Sequence, residues 1–355
     1  MRFLLLNTGG TISSVSSSKG KRPELTSSDL LRRTQPVNSK YTIEALDILQ
    51  RDSTDIGPKE WRQLAYEIVE ADRHEDYDAY IILHGTDTMA YTAAALSFLL
   101  RDFPKTVFMT GAQRSADEPD FDGSDNIGDA IVAALEMSTD CAGVFLVFAG
   151  KIIHGCHAVK TDTRDFEAFS SIGAPPVAEV KEDKLVSLCK TWYEKLTERR
   201  RISHRLYDLD QEHFLIDPLD PHVLVIQMTP GLDPQLLPQL ARGNWPLRAL
   251  ILESFGSGGI PVSPRDYYPY LKELINDGVL VILGTQVLSK GEDLTRYEVG
   301  QRTEGLGLIA QGGLSTEAAV AKAMWILPQA RDRAMLAALY QEDFAFEHPV
   351  LSEGC

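Results

Sequence analysis

Short uninterrupted apolar runs alternate along the first half of the chain with longer stretches whose apolar residues recur at helical spacing. "RFLLL" (2–6), "AYIILHG" (79–85), "TVFMTGA" (106–112) and "AGVFLVFAG" (142–150) read as buried strands. "PKEWRQLAYEIVEA" from Pro58, "DTMAYTAAALSFLLRD" from Asp87 and "NIGDAIVAALEMS" from Asn126 read as helices, the first with proline at its start. Continuous apolar strands that alternate with helices predict a parallel sheet covered on both faces. A second α/β series follows His222: "VLVIQM", "DPQLLPQLAR", "ALILESFGSGG", "PYLKELINDG", "VLVILGTQ" and "STEAAVAKAMWIL". No sequence repeat links the two series.

Between them the pattern is lost. "ERRRISHRLYDLDQEHFLIDPLDPH" is charged, carries two Asp-Pro pairs and keeps no period, so it is read as a linker, with room for a short strand. The expected organisation is an N-terminal α/β catalytic domain over 1–190, a linker over 191–221 and a C-terminal α/β domain over 222–355. A length of 355 residues gives each domain a full core.

Composition narrows the function classes. A hydrophobic content of 44% and a charged content of 24% are those of a soluble globular protein. The net charge of −16 argues against nucleic-acid binding, which needs a basic face. No apolar run approaches the length of a membrane span, and "MRFLLLNTGG" is too short for a secretory signal, so no membrane association and a cytoplasmic location are expected. Cys141, Cys156, Cys189 and Cys355 are scattered without CxxC spacing, which favours reduced thiols over a disulfide framework.

In open parallel sheets ligands lie beyond the carboxyl ends of strands, so the polar segments there carry the information. "NTGGT" (7–11) matches neither a dinucleotide fingerprint nor a P-loop. Gly9 and Gly10 allow close backbone approach to a ligand, and Thr11 either faces the cleft or caps a turn. "HGTDT" (84–88) places Thr86 and Asp87 at a helix N-terminus, where free N–H groups suit a carboxylate or an oxyanion; helix capping by either residue is the plainer alternative. A lysine, Lys151 or Lys160, beside a threonine hydroxyl has the chemistry of a Ser-Lys dyad, although any single lysine is more ordinarily a solvated charge. "HGCH" (154–157) matches no common zinc spacing, and no metal is expected. "DST" (52–54) and "ESFGSGGIP" (253–261) say little alone.

Together, "TGGTI", "DST", "HGTDTMAYTA", "TGAQ" and a downstream lysine stand in the order seen in bacterial-type L-asparaginases, and the chain resembles the cytoplasmic (type I) branch, archaeal forms included. The resemblance extends through "FEAFSS", "PGLDP", "GSGGIP", "GTQVLSKGEDLTRYEVG" and "TEAAVAKAMWIL". It implies two α/β domains, a larger N-terminal parallel-sheet domain of flavodoxin-like or Rossmann-like kind and a smaller C-terminal one. It implies hydrolysis of L-asparagine to L-aspartate and ammonia without metal or cofactor, by a homodimer or homotetramer whose sites are completed by a neighbouring subunit. Matched position by position, Thr11 is the nucleophile that forms an acyl-enzyme, and Thr86, Asp87 and Lys160 form the second catalytic cluster. Lys160 is preferred to Lys151 because it precedes "TDTRDFEAF". Gly10, Ser53, Thr54, Gly85, Thr86, Asp87 and Ala112 match substrate-binding positions, with the Ala112 carbonyl offered to the amide nitrogen.

One departure stands out. The family places a tyrosine about ten residues after the nucleophile, on a mobile lid, and here that stretch is "SSVSSSKGKRPELTSS", with the next tyrosine at Tyr41. A threonine hydroxyl needs a base, and Lys21 and Arg22 in the lid stretch do not supply an obvious one. The rivals are a glutaminase-asparaginase of relaxed specificity, the asparaginase-like component of the tRNA-dependent amidotransferase, and a non-catalytic amino-acid-binding relative. The amidotransferase component carries an additional N-terminal domain, for which a motif starting at residue 8 leaves no expected place.

Overall fold

The computed structural model describes residues 1–17, 20–34, 40–186, 189–210, 216–256, 258–287 and 306–348. One compact unit spans Met1–Asp217 and a second begins at Pro218.

The first unit is built on strands β1 (Arg2–Gly9), β4 (Thr42–Arg51), β5 (Ala79–Leu83), β6 (Thr106–Thr110) and β7 (Gly143–Phe148), all parallel in the spatial order β4-β1-β5-β6-β7. The expected strands are buried along nearly their whole length, as a sheet covered on both faces requires. Helices α1 (Ser27–Arg33), α2 (Pro58–His74), α3 (Met89–Leu99) and α4 (Gly123–Met137) lie in the crossovers between them. The chain steps outward from β1 to β4, then returns past β1 to β5. That reversal puts a switch point between β1 and β5, where ligands of such sheets bind.

Beyond β7 the sheet turns antiparallel. β8 (Lys151–His154), β11 (Ala178–Lys181) and β12 (Lys184–Val186) extend it, and β9 (Ala158–Lys160) pairs with β10 (Phe169–Ser171) as a separate ribbon. The "FAGK" segment is therefore a tight hairpin turn. Ala149 and Gly150 both take positive φ, of 47° and 75°, as the two-residue turn between right-twisted strands demands. A second hairpin, β2 (Ser14–Ser17) with β3 (Gly20–Pro23), leaves the sheet directly after the β1 turn.

Two elements depart from the pattern-based expectation. β4, "TIEALDILQR", is half-exposed along its length because it is the edge strand, so it never forms a buried run. Residues expected as aperiodic linker over 191–221 form helix α5 (Lys190–Asp210) within the first unit; of the remainder, 211–215 lies outside the described residues and 216–221 has no helix or strand. Its buried stripe is Trp192, Leu196, Arg199, Ser203 and Tyr207. The spacing is helical, but two of the five are polar, and this hides the period. Arg199 is accommodated because its Nε donates to the Arg101 carbonyl at 3.0 Å.

Cys141 and Cys156 are buried free thiols, and Cys355 lies outside the described residues. Among the described residues no helix is long and apolar enough to cross a membrane.

The second unit carries the parallel strands β13 (Val223–Gln227), β14 (Ala249–Ser254), β15 (Leu280–Thr285) and β16 (Ile309–Ala310), in that order. Helices α6 (Leu236–Ala241) and α7 (Tyr268–Asn276) share one core with Leu250, Leu252, Val281 and Leu283. Part of "GTQVLSKGEDLTRYEVG" falls in 288–305, outside the described residues.

Helix α8 (Thr316–Ile326) carries a fully buried charge. Lys322 Nζ lies 2.5 Å from Glu347 Oε1, both side chains being 0% exposed, and donates to the Glu342 carbonyl at 2.6 Å. Its ammonium also sits over the rings of Tyr340 and Phe344, at 5.2 and 5.8 Å. Burial alone would raise the Glu347 pKa; the Lys322 charge and the Ala345 N–H hold it below the ordinary value. Removing one partner strands the other in the core, at a cost of about 3–5 kcal/mol. Lys322→Met is therefore expected to lose about that much in urea denaturation, and adding Glu347→Leu to recover most of it. A loss below about 1 kcal/mol in the single variant, the scale of a surface pair, would contradict a dry pair.

Candidate active site

The carboxyl ends of β1, β4, β5 and β6 lie on one edge of the sheet, which brings "NTGGT", "DST", "HGTDT" and "TGAQ" together. The contact between the first and third of these is backbone on backbone. A Cβ built on Gly10 would lie 2.3 Å from Gly85 Cα, and one on Gly85 would lie 2.7 Å from Ser53 Oγ. Gly10, Gly85 and Ser53 are thus one packed cluster, and glycine is required at both 10 and 85 for lack of space. Gly10 also has φ of 79°, a region that side chains disfavour.

The β1 turn is pinned by Asn7. Its Oδ1 accepts from the Gly9 N–H at 3.0 Å and the Ser13 hydroxyl at 2.8 Å, and its Nδ2 donates to Asp47 at 2.9 Å. Thr11 opens the 3-10 turn Thr11–Ser13, whose cap is Gly10, so Thr11 is not itself the cap. Its partly exposed side chain makes no hydrogen bond among the described residues. By contrast Thr8 is buried, its hydroxyl donating to the Leu83 carbonyl at 2.9 Å.

The second cluster is assembled by tertiary contacts. Lys160, at the end of β9, donates to Thr86 Oγ1 at 2.8 Å and to Asp87 Oδ1 at 2.6 Å. Thr86 is 5% exposed, and its hydroxyl also lies 3.4 Å from Gln113 Oε1. The Asp87 side chain is 60% exposed and that of Lys160 15%, so the carboxylate is the solvent-facing end of the ion pair. Lys151 instead pairs with Glu167 at 2.7 Å, so of the two candidate lysines Lys160 is the one at Thr86.

The substrate-binding candidates divide. Ser53 is buried against Gly85, and its hydroxyl makes no hydrogen bond among the described residues. The Thr54 hydroxyl is taken by Asp52 at 2.7 Å, capping its own turn. Ala112 is buried, with no donor to its carbonyl among the described residues. The loop around it is held by residues that the sequence reading missed. Asp122 accepts from the Gln113 and Arg114 N–H groups, both at 3.0 Å, and Asn126 donates to Gly111 O at 3.0 Å. An Asp and an Asn one helical turn apart at the start of α4 were the available signal.

Tyr41 is not at this edge. It precedes β4 and stacks on Phe3 at 5.8 Å, beside the amino end of β1. The lid stretch after Thr11 is the β2–β3 hairpin. In "HGCH" the imidazole rings lie 5.8 Å apart, His154 stacking on Trp192 at 5.0 Å and His157 Nδ1 meeting the Ile172 carbonyl at 2.7 Å. Among the described residues no group of three His, Cys, Asp or Glu side chains is placed to hold a metal.

His84 completes the site from below. It is fully buried, and burial pushes its pKa down to about 4, against a smaller opposing effect of its hydrogen bond to Gly85 O. The unfolded chain takes up this proton near pH 6.5 and the folded one only near 4, so folding stability is complete above 6.5 and falls as pH drops through 4. The shift corresponds to about 3 kcal/mol. His154, also held low by burial, adds a loss of the same sign. In urea titrations from pH 7 to 4, His84→Asn is expected to lose about 3 kcal/mol less than the parent protein; equal losses would show that His84 does not carry this term.

The chain matches the family model described as "Asparaginase, N-terminal" over residues 2–192 and that described as "Glutaminase/Asparaginase C-terminal domain" over 222–340. It is 35% identical over 352 residues to an L-asparaginase of Thermococcus kodakarensis, covering 98% of this chain and 99% of that one. It is 30% identical over 333 residues to L-asparaginase 1 of Escherichia coli, covering 92% and 91%. It is 30% identical over 337 residues to a component of the glutamyl-tRNA(Gln) amidotransferase of Pyrococcus furiosus, covering 92% of this chain and 72% of that protein. Among solved structures, the thermostable Thermococcus kodakarensis L-asparaginase superposes with a TM-score of 0.83 at 33% identity, over 99% of this chain and 100% of that one. L-asparaginase I of Vibrio cholerae superposes with a TM-score of 0.79 at 27% identity, over 98% and 99%. With both family models matched in order and relatives aligned from end to end, the chain belongs to the asparaginase family.

Proposed function

We propose that this protein is an L-asparaginase, hydrolysing the side-chain amide of L-asparagine to L-aspartate and ammonia through a Thr11 acyl-enzyme. The observation that carries the reading is a Thr11 hydroxyl with no hydrogen bond among the described residues, on a turn packed through Gly10 against Gly85, which precedes the Thr86 and Asp87 held by Lys160. Thr11 Oγ attacks the amide carbon and gives up its proton. The amide nitrogen gains a proton and leaves as ammonia, and water then cleaves the ester and restores the hydroxyl. Ser53 and Asp87 bind the α-carboxylate and α-ammonium, and the Ala112 carbonyl faces the amide nitrogen.

Without a tyrosine in the lid stretch, the Thr11 proton passes to Thr86 Oγ1 while the Thr86 hydrogen passes to Lys160, which takes part as the neutral amine and hands a proton on to the departing amide nitrogen. A substrate ammonium at the exposed Asp87 carboxylate competes with Lys160 for it, and this turns the lysine towards Thr86. Substrate binding thereby prepares the base. The resemblance extends the proposal to a homodimer or homotetramer and, with the absence of a membrane-length helix among the described residues, to a cytoplasmic location.

Purified protein is expected to release ammonia from asparagine without tRNA, and Thr11→Ala to abolish the release. Lys160→Met should lower kcat by about 100-fold or more, the scale of general acid–base catalysis, with an unchanged circular dichroism spectrum. Near-normal turnover in that variant removes Lys160 from the chemistry. Asparagine binding in calorimetry with no ammonia from the parent protein would favour a sensor. Parallel assays with glutamine measure specificity, since one methylene is worth only about 1–3 kcal/mol.

A further inference from the structure

We infer that His84 is a positioning residue, which aims the Thr86 backbone N–H into the cleft by holding the carbonyl of the same peptide unit. The inference rests on the amidohydrolase reading, in which an N–H at this place receives the developing oxyanion.

A one-way chain of hydrogen bonds fixes the imidazole. Trp61 Nε1 lies 3.0 Å from Thr92 Oγ1, and Thr92 Oγ1 lies 3.0 Å from His84 Nε2. An indole N–H can only donate. The Thr92 oxygen therefore accepts from Trp61. At the other end Gly85 O can only accept, so Nδ1 carries the proton and donates to it at 2.7 Å; Nε2 of the neutral ring is then an acceptor and takes the Thr92 hydrogen. Thr92 Oγ1 also stands 3.2 Å from Thr88 O, the partner its hydrogen would take if Nε2 were protonated. Burial keeps the imidazole neutral, so the chain keeps its direction.

The peptide plane converts this grip into a direction. In a trans peptide the C=O and N–H point opposite ways. With the Gly85 carbonyl turned to a buried ring, the Thr86 N–H points away from the core. No acceptor among the described residues takes that hydrogen. Nor does the cap of α3 compete for it, because the Thr88 hydroxyl is spent on Ser53 O at 2.6 Å.

Glycine at 85 makes the grip necessary. A side chain there would strike Ser53 and one at Gly10 would strike Gly85, so the packing demands glycine. Glycine also lets the 85–86 peptide flip at little cost. A flipped peptide would present a carbonyl oxygen to the oxyanion in place of a donor. His84 holds the productive orientation.

The experiment compares kcat, KM and the Kd of aspartate for the parent protein, His84→Phe, His84→Asn and Thr92→Val. His84→Phe keeps the volume and removes the donor; it should lower kcat by about 100-fold, the scale of a lost oxyanion donor. KM and aspartate Kd should stay near the parent values, because the interaction is made only in the transition state. His84→Asn retains an N–H near the Nδ1 position and should restore most of the turnover. Thr92→Val frees the tautomer and should lower kcat by less, again at constant KM; it decides the question if His84→Phe does not fold. Near-parental kcat in His84→Phe, or a loss of aspartate affinity in step with kcat, overturns the inference while parent turnover leaves the amidohydrolase reading standing. A parent protein that releases no ammonia brings down both.

Discussion

The site depends on two glycines that meet without side chains between them. Gly10 and Gly85 close the switch point between β1 and β5, and a single Cβ on Gly10 would come within 2.3 Å of Gly85. Thr11 and Thr86 each follow one of these glycines, so that contact brings together the two turns that carry them. Loops that terminate parallel strands are otherwise free to splay. Here close packing replaces the usual side-chain spacer, and Ser53 fills the third corner.

Around this contact, polar side chains do the positioning that apolar packing cannot. Asn7 holds the β1 turn, Asp122 and Asn126 hold the loop after β6, and His84 holds the peptide after β5. All of these act on backbone N–H or C=O groups of the strand ends. A buried amide or carbonyl without a partner is costly, so each loop is driven to the one conformation that satisfies it. Among the described residues the hydroxyls of Thr11 and Ser53 have no such duty, which supports the roles proposed for them.

The hairpin β2–β3 starts three residues after Thr11, and its first residue is tied to the turn by the Ser14 hydroxyl, which donates to the Gly10 carbonyl at 2.8 Å. It occupies the place of the family's lid, without a tyrosine in its sequence. Tyr41, the next tyrosine, stacks on Phe3 beside the amino end of β1. In the proposed mechanism the chemistry that a lid phenol would perform falls to groups fixed in the sheet, chiefly the lysine at the end of β9. A base mounted on a strand does not depend on closure of a lid for its position.

Much of this was written in the order of residues. Apolar runs marked β1, β5, β6 and β7, helical spacing marked α2, α3 and α4, and the glycine-threonine segments marked the strand ends where ligands bind. The edge strand β4 and the helix α5 escaped because their apolar periods are interrupted, one by exposure to solvent and the other by Arg199 and Ser203 in its buried stripe. Local pattern also left Lys151 and Lys160 equivalent as charges near a strand end. The family resemblance preferred Lys160, and the fold supplies the physical reason: the β7–β8 hairpin carries Lys151 to Glu167, while β9 delivers Lys160 to Thr86, 74 residues away in sequence. The tautomer of His84 is likewise a matter of the fold, which sets Nδ1 against Gly85 O and Nε2 against Thr92. A sequence determines burial and period because these are properties of neighbouring residues; which distant polar groups meet is decided by the crossovers and turns that bring them together.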